Sequence, residues 1–386
     1  MDNGLELRKF VAPEYIFGIG ARKLAGRYAR NLGGRRILVV SDPGVAAAGW
    51  TADVIGAIGE EGLSSVLFTG VSPNPRAAEV MAGAEVYASG KCNAIVAVGG
   101  GSPMDCAKGI GIVSTNRKSI LQFQGVDKVE IPMPPLICVP TTGGTSADVS
   151  QFAIISDPAE KVKFAIISKS VVPDVSLIDP ITLTTMDSYL SACTGLDALT
   201  HAIEAYVSRA NSPMTDLHAL EAVRMVTENL VASIKNPTDL DLRSKIMQGS
   251  LMAGLAFSNA ILGANHAMAH SLGGETDAFH GECNAILLDH VIDFNFPHAS
   301  ERFERIAEAM GLDLRGLNSR EKKAALLRKV RDLKKAAGMH RVLHDFGVGR
   351  SDLSILSEKA LKDPCMVTNP RPASPRDIEV IYEESL

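Results

Sequence analysis

The sequence predicts a two-part fold in which an α/β first half precedes an all-helical second half. In the first half, short apolar runs typical of buried parallel strands alternate with segments of helical periodicity. After Met186 the strand signals end, and apolar residues recur at helical spacing. We therefore expect an α/β domain at 1–183 and an all-α domain at 184–386.

The elements of the first half follow one another at the spacing of βαβ units. Such alternation indicates a parallel sheet with right-handed crossovers. Two later apolar runs flank Ser156-Asp157-Pro158 and indicate a hairpin that continues into a further strand. We expect strands at 15–20, 36–42, 65–68, 94–98 and 136–140, helices up to residue 29 and at 51–61 and 76–89, and a hairpin at 152–155 and 163–167, continued by 175–180.

The second half contains only helical signals. Asp179-Pro180 ends the last strand pattern, which places the domain boundary near 180–186. We expect helices at 187–208, 214–234, 241–257, 263–274, 284–294, 300–310, 320–337, 351–361 and 375–384.

Three glycines follow the predicted strand at 94–98. Gly99, Gly100 and Gly101 lack the Cβ atoms that would keep a pyrophosphate away from the backbone. After them, Ser102 is expected to cap a helix, with Pro103 as its first residue and Asp105 as the acid of a capping box. Met104 stands where the third glycine of a G-x-G-x-x-G fingerprint would be, so a tight turn without a ligand is an alternative.

A second loop of small residues follows the strand at 136–140. Thr141, Thr142 and Thr145 lie at the carboxyl end of that strand, where open α/β sheets bind nucleotides. Asp42 ends an earlier strand and could accept hydrogen bonds from an adenosine ribose, which favours NAD; a solvated strand-end acid is the alternative. Together these loops predict a Rossmann-like dinucleotide-binding domain.

Two i,i+4 pairs in the second half carry metal-binding side chains. Asp197 and His201 lie on one face of a predicted helix, and His266 and His270 repeat the spacing in another. His280 follows in a loop-like segment. Asp197, His201, His266 and His280 would supply three imidazoles and one carboxylate, which suits Fe(II) or Zn(II). An Asp–His hydrogen bond on a helix surface is the alternative for the first pair.

The composition is that of an ordinary globular protein and excludes several classes of function. Of 386 residues, 46% are hydrophobic and 22% charged, and no apolar run reaches the length of a membrane helix. A net charge of −5 without a basic block argues against nucleic acid as a partner. The six cysteines show no C-x-x-C, and Met1–Leu7 shows no signal peptide, so we expect a cytoplasmic protein.

These residues occur in motifs that resemble the iron-dependent (group III) alcohol dehydrogenases, a family that includes lactaldehyde/1,2-propanediol oxidoreductases and 1,3-propanediol dehydrogenases. The similar stretches follow the family's order along the whole chain. They are GGGSPMDCAK (99–108), PTTGGTS (140–146), TGLDALTHAIEAYVS (194–208), GANHAMAHSLGG (263–274), HGECNAILL (280–288) and DPCMVTNPR (363–371).

The resemblance implies an NAD-dependent alcohol dehydrogenase acting on a small primary alcohol or diol. It implies one divalent metal, iron or zinc, held by the four residues above, and a catalytic role for His270. It also implies a homodimer or higher homo-oligomer that binds neither nucleic acid nor membrane. The implied cofactor contacts are Asp42, Gly99, Gly100, Gly101, Ser102, Thr141, Thr142, Thr145 and Lys163.

One departure from the family pattern concerns the second loop, where Ser146-Ala147-Asp148 replaces the usual sequence with a shifted serine and a shorter acid. Two other functions remain open at this point. A lyase or cyclase of the dehydroquinate-synthase-like fold would need basic residues for an acidic substrate, whereas the ligand-bearing segments here are rich in Ala, Leu and Met. A non-catalytic NAD- or metal-binding protein is the second.

Overall fold

A six-stranded parallel sheet forms the first half of the computed structural model, which describes residues 7–386. Its strand order is β1-β9-β6-β4-β2-β3, so β3 lies on one side of β2, and β4 and the later strands are added on the other side. The predicted α/β class is confirmed. The nine strands of the described residues are β1 (Glu14–Phe17), β2 (Arg36–Val40), β3 (Ser64–Phe68), β4 (Ala94–Gly99), β5 (Gly125–Val126), β6 (Leu136–Pro140), β7 (Phe152–Asp157), β8 (Val162–Ile167) and β9 (Val175–Ile178).

The predicted hairpin is present, and the strand expected after it is β9, which does not pair with the hairpin. β7 and β8 pair antiparallel and form a three-stranded sheet with β5. β9 instead enters the main sheet between β1 and β6, where Val175 pairs with Ile137. Its wholly buried pattern explains this, because a strand covered on both faces suits the centre of a parallel sheet.

Helices cover the sheet and make up the second half, which confirms the predicted all-α class there. The predicted helices lie within a few residues of the observed ones. Within residues 7–386 the α-helices are α1 (Ala25–Asn31), α2 (Pro43–Ala47), α3 (Trp50–Glu60), α4 (Ala77–Ser89), α5 (Gly101–Asn116), α6 (Ser188–Val207), α7 (Pro213–Lys235), α8 (Leu240–Ala260), α9 (Ala264–Thr276), α10 (His280–Asn295), α11 (Ser300–Ala309), α12 (Ser319–Ala336), α13 (Leu353–Leu361) and α14 (Pro375–Glu384).

The start of α5 differs from the expected capping arrangement. The helix begins at Gly101, and Gly100 is the N-cap residue, without a side-chain cap. Ser102 is therefore already helical, and its Oγ accepts a hydrogen bond from the Asn74 amide at 3.2 Å. The predicted cap at Ser102 is wrong because the glycines let the backbone turn into the helix two residues earlier.

The two halves meet where the second small-residue loop packs on α6. A Cβ added to Gly144 would lie 2.4 Å from the Thr194 carbonyl oxygen and 2.7 Å from its Cα. Only glycine fits this approach, and any larger residue would push the loop away from the helix that carries Asp197 and His201.

No single helix between residues 7 and 386 is long and apolar enough to cross a membrane. Taken together, α8 and α9 are long and apolar enough by length and composition alone, but a bend of 99° lies between them. The prediction of no signal peptide depends mainly on residues 1–6, which lie outside the described part of the chain.

Candidate active site

A cavity of about 980 Å³ lies between the carboxyl edge of the six-stranded sheet and helices α6, α8, α9 and α10. The glycine and threonine loops line one side of it, and the predicted metal ligands line the other. Both sets of sequence-predicted residues therefore face a single space.

Three of the predicted metal ligands converge at the buried end of this cavity. Asp197 and His201 lie one turn apart on α6, and His266 lies near the start of α9. Each offers one ligand atom, and these atoms all lie within 4.8 Å of one another. Nδ1 of His201 is buried and finds no hydrogen-bond partner among the described residues. A cation bound here would account for such a gathering of buried donors.

His280 completes the set from the first residue of α10. Its Nε2 lies 3.8 Å from Oδ1 of Asp197, and Nε2 of His266 lies 3.7 Å from the same oxygen. The sequence suggested a loop for His280, whereas α10 begins at this residue, after an extended Phe279. The donor set of three imidazoles and a carboxylate fits a divalent metal of the iron or zinc type.

The environment of Asp197, His201 and His280 favours the protonation states that bind a cation. Burial lowers the pKa of His201 to about 3 and that of His280 well below its usual value. Burial alone would raise the pKa of Asp197, but His201, His266 and His280 together hold it far below the usual range. Neutral imidazoles and an ionised carboxylate are the forms that ligate metals.

His270 lies beside the ligand set and has a carboxylate partner of its own. Its Nδ1 lies 2.8 Å from Oδ2 of Asp363, and its ring stacks on that of His280 with centroids 5.2 Å apart. Burial would raise the pKa of Asp363, but His270 lowers it. Asp363 lies in the DPCMVTNPR motif, and it fixes which nitrogen of His270 faces away from the cavity.

The predicted cofactor contacts lie on the sheet side. Gly100 packs so closely on Thr142 that a Cβ would meet its Cγ2 at 2.9 Å, and Gly99 ends β4 directly before it. Asp42 lines the cavity. Its Oδ1 accepts a hydrogen bond from the Val45 amide at 2.9 Å, and this bond caps α2. The other predicted contacts that line the cavity are Gly101, Ser102, Thr141, Thr145 and Lys163.

Lys163 takes part in contacts that connect the two sides of the cavity. Its Nζ donates to Oδ1 of Asn74 at 2.7 Å, and Nδ2 of Asn74 donates to Oδ1 of Asp277 at 2.9 Å. Burial lowers the pKa of the Lys163 ammonium group. The chain of contacts joins the sheet side to the turn between α9 and α10.

Of the unusual residues in the second loop, Ala147 lines the cavity, whereas Ser146 and Asp148 make contacts with other elements. Ser146 donates to the Ser250 carbonyl oxygen of α8 at 2.6 Å, and Asp148 accepts from Ser176 of β9 at 2.6 Å. The departure from the family pattern therefore changes packing between elements, while the threonines of the loop keep their place on the cavity wall.

Comparisons with known proteins agree with this geometry over nearly the whole chain. Residues 12–180 match the family described as "Iron-containing alcohol dehydrogenase", and residues 191–386 match "Fe-containing alcohol dehydrogenase family, C-terminal". The chain belongs to the iron-containing alcohol dehydrogenase family.

Individual members of this family resemble the chain closely. A 1,3-propanediol dehydrogenase of Klebsiella pneumoniae is 38% identical over 96% of both chains. An NAD-dependent methanol dehydrogenase of Bacillus methanolicus is 34% identical, over 98% of this chain and 99% of its own. The crystal structure of a 1,3-propanediol oxidoreductase superposes with a TM-score of 0.96 at 37% identity, covering 99% of this chain and 100% of that one.

The predicted family, fold class and activity are thereby confirmed. The protein is an alcohol dehydrogenase of the iron-containing type, and the lyase and non-catalytic alternatives are set aside.

A buried carboxylate that the sequence analysis missed contacts one of the predicted metal ligands of this alcohol dehydrogenase. Oε2 of Glu204 lies 2.5 Å from Nδ1 of His266, and Oε1 accepts from the Asn265 amide at 2.7 Å. Burial would lower the pKa of His266, but Glu204 and Asp197 raise it to about 9. Glu204 follows His201 by three residues, so helical spacing could have placed it on the same face.

An amide that the sequence analysis also missed lies against the ligand atoms. Nδ2 of Asn284 donates to Oδ1 of Asp197 at 2.7 Å and lies 3.0 Å from Nε2 of His266 and 3.2 Å from Nε2 of His280. Nδ2 of Asn265 donates to Oδ1 of Asn284 at 2.9 Å. Asn284 follows His280 by four residues on α10, and its fixed amide orients the carboxylate of Asp197.

Proposed function

We propose that the enzyme interconverts small primary alcohols and their aldehydes, with Asp197, His201, His266 and His280 holding one divalent metal, most simply Fe(II). The observation that supports this proposal is the convergence of those four donors in the same cavity as the glycine and threonine loops. The family description names iron, and the relative named as NAD-dependent supports NAD as the coenzyme.

The two bound groups would supply the chemistry, and the residues of the chain would position it. A divalent cation in this donor set supplies Lewis acidity that favours loss of the alcohol proton, and NAD accepts the hydride. Gly99, Gly100 and Gly101 would leave room for the pyrophosphate, and Ser102, Thr141, Thr142, Thr145 and Lys163 would contact the rest of the coenzyme.

Two roles are open for His270 in this scheme. As a proton carrier it would take the alcohol proton at Nε2, with Asp363 holding Nδ1–H and stabilising the imidazolium that forms. As an orienting group it would only hold the ring of His280 by stacking. Asp42 would accept hydrogen bonds from the adenosine ribose and so select NAD over NADP.

The domain boundary near 183/184, the oligomeric state and the location are proposals of the same kind. The helical half begins with α6, just after that boundary. A homodimer would cover the edge strand β1, whose Tyr15 and Phe17 are 44% and 37% exposed. A cytoplasmic location is consistent with six buried, unpaired cysteines. Sedimentation of the purified protein measures the oligomeric state directly.

An NAD-reduction screen over C2–C6 alcohols and diols tests the proposed function. The protein is loaded separately with Fe(II) and with Zn(II), and aldehyde-dependent NADH oxidation is measured in parallel. We expect turnover of several primary alcohols, with the higher rate for the Fe(II) form. A protein that retains stoichiometric Fe(II) yet turns over none of these compounds in either direction contradicts the proposal.

A further inference from the structure

One face of β7, together with Ser150 two residues before the strand, forms an inner wall of the cavity. Ser150, Phe152, Ile154 and Ser156 all line it, at the two-residue period of an extended strand. Ala153, between them, faces the opposite side and belongs to the core under α5. The polar end of this face, at Ser156, pairs with Lys163, whereas its apolar part holds Phe152 and Ile154.

The apolar part of this wall continues to the predicted metal ligands through two neighbouring ring contacts. The Phe152 ring lies 5.7 Å from that of Phe257, and the Phe257 ring stacks on the His201 imidazole at 4.2 Å with an interplanar angle of 19°. Leu262, which is 3% exposed, lines the same cavity. Carbon atoms of a substrate beyond the reacting carbon would therefore contact hydrocarbon.

The position of Phe152 is fixed by its backbone. Its carbonyl oxygen accepts from Nζ of Lys108 at 2.6 Å, and it pairs with Ile167 of β8. The polar side chains nearby lie beside the wall: Ser150 accepts from Lys108 at 3.3 Å, and Tyr189 donates to Glu282. A second substrate hydroxyl that faced Phe152 and Phe257 would lose its water without gaining a hydrogen bond from these two side chains.

We propose that the Phe152–Phe257 wall selects short, unbranched alcohols with an apolar tail over α,ω-diols of the same length. This inference rests on the proposed function and specifies its substrate class. It also separates this enzyme from relatives named for 1,3-propanediol, despite 38% identity. A hydrophobic site rejects an added hydroxyl by about 10–100-fold in kcat/KM.

Matched pairs of substrates test the selection with the metal-loaded enzyme and NAD. The pairs are 1-propanol with 1,3-propanediol, and 1-butanol with 1,4-butanediol. We expect kcat/KM for each alcohol to exceed that for its diol by about 10–100-fold. Equal values, or a preference for the diols, overturn the inference. Failure of the proposed function would look different, because none of the four compounds would then reduce NAD.

Variants at Phe152 test whether this side chain causes the preference for alcohols over diols. Phe152→Ser adds space and a hydroxyl, so the alcohol-to-diol ratio should fall by about 10-fold. Phe164→Ser is the matched control, because Phe164 lies on the same hairpin, is equally buried and packs into the opposite core. A folded Phe152→Ser protein with the wild-type ratio overturns the inference, as does an equal change in the control.

A milder variant keeps the test decisive if the serine variants do not fold. Phe152→Leu preserves an apolar wall but shortens it. We expect it to keep the preference for alcohols over diols and to gain about 10-fold in kcat/KM for 2-methyl-1-propanol relative to 1-butanol. No gain for the branched alcohol would mean that Phe152 does not limit this site, which overturns its assigned role.

Discussion

The two sides of the cavity are built on different physical principles. On the sheet side, close backbone packing forms the surface, as where Gly100 contacts Thr142 and Gly144 contacts Thr194. On the helical side, buried ionisable groups in fixed pairs form it, as in Glu204–His266 and Asp363–His270. The first arrangement leaves room for a cofactor close to the backbone. The second keeps groups ionised that burial alone would neutralise, because each charge has a partner.

The comparison extends to how each side should respond to substitution. Removing a buried donor leaves other ionisable groups unpaired in a dry environment, so large effects are expected on the helical side. Asp42 on the sheet side is only partly buried, and the effect of replacing it should be smaller.

The largest effect is expected for His280→Ala. The variant lacks one of the four proposed ligands, so metal content and turnover should fall together. Metal analysis after gel filtration and an alcohol-oxidation assay measure both. His290→Ala on the same helix is the control, because His290 contacts Asp289 and Glu384 instead. Full activity of a metal-depleted His280→Ala protein would show that the ligand assignment is wrong.

His270→Ala should keep the metal and lose turnover. If His270 carries the proton, kcat should fall by roughly 10²–10⁴-fold. A role only in orienting His280 predicts a smaller loss. Loss of metal from this variant would make His270 a ligand and one of the four assigned residues an error.

Replacing the carboxylate partners of His266 and His270 should distinguish the roles of these two histidines. Glu204→Gln removes the charge that holds His266, and metal affinity should fall by about 10–100-fold in a chelator competition. Asp363→Asn is its counterpart beside His270 and should lower kcat while leaving metal affinity unchanged. Equal metal affinity in wild type and Glu204→Gln would contradict the distinction drawn between these pairs.

Asp42 tests the sheet side and should give the smallest effect. A 2′-phosphate would place like charge against this carboxylate, at a cost of about 1–3 kcal/mol or roughly 10–100-fold. Asp42→Gly should therefore lose much of the preference for NAD, chiefly by gaining NADP, as measured by kcat/KM for both coenzymes.

A second substitution at Asp42 separates charge from capping. Asp42 also caps α2, so Asp42→Asn keeps the cap while removing the charge. It should shift the preference about as far as glycine does. A wild type that prefers NADP, or a glycine variant with the full NAD preference, would mean that another element selects the coenzyme.

The sequence by itself determined the α/β-plus-helical class and most of the candidate ligands. These features are encoded locally, because strand and helix periodicity needs only neighbouring residues, and the i,i+4 spacing of Asp197 and His201 puts both on one helix face. The glycine and threonine loops were likewise visible as the ends of apolar runs.

Only the tertiary structure decided which groups support those ligands. Glu204 contacts His266 across 62 residues of sequence, Asn284 contacts Asp197 across 87, and Asp363 contacts His270 across 93. Packing also inserted β9 into the main sheet and placed His280 at the start of a helix. Such contacts depend on how whole elements pack against one another, and local periodicity carries no information about that.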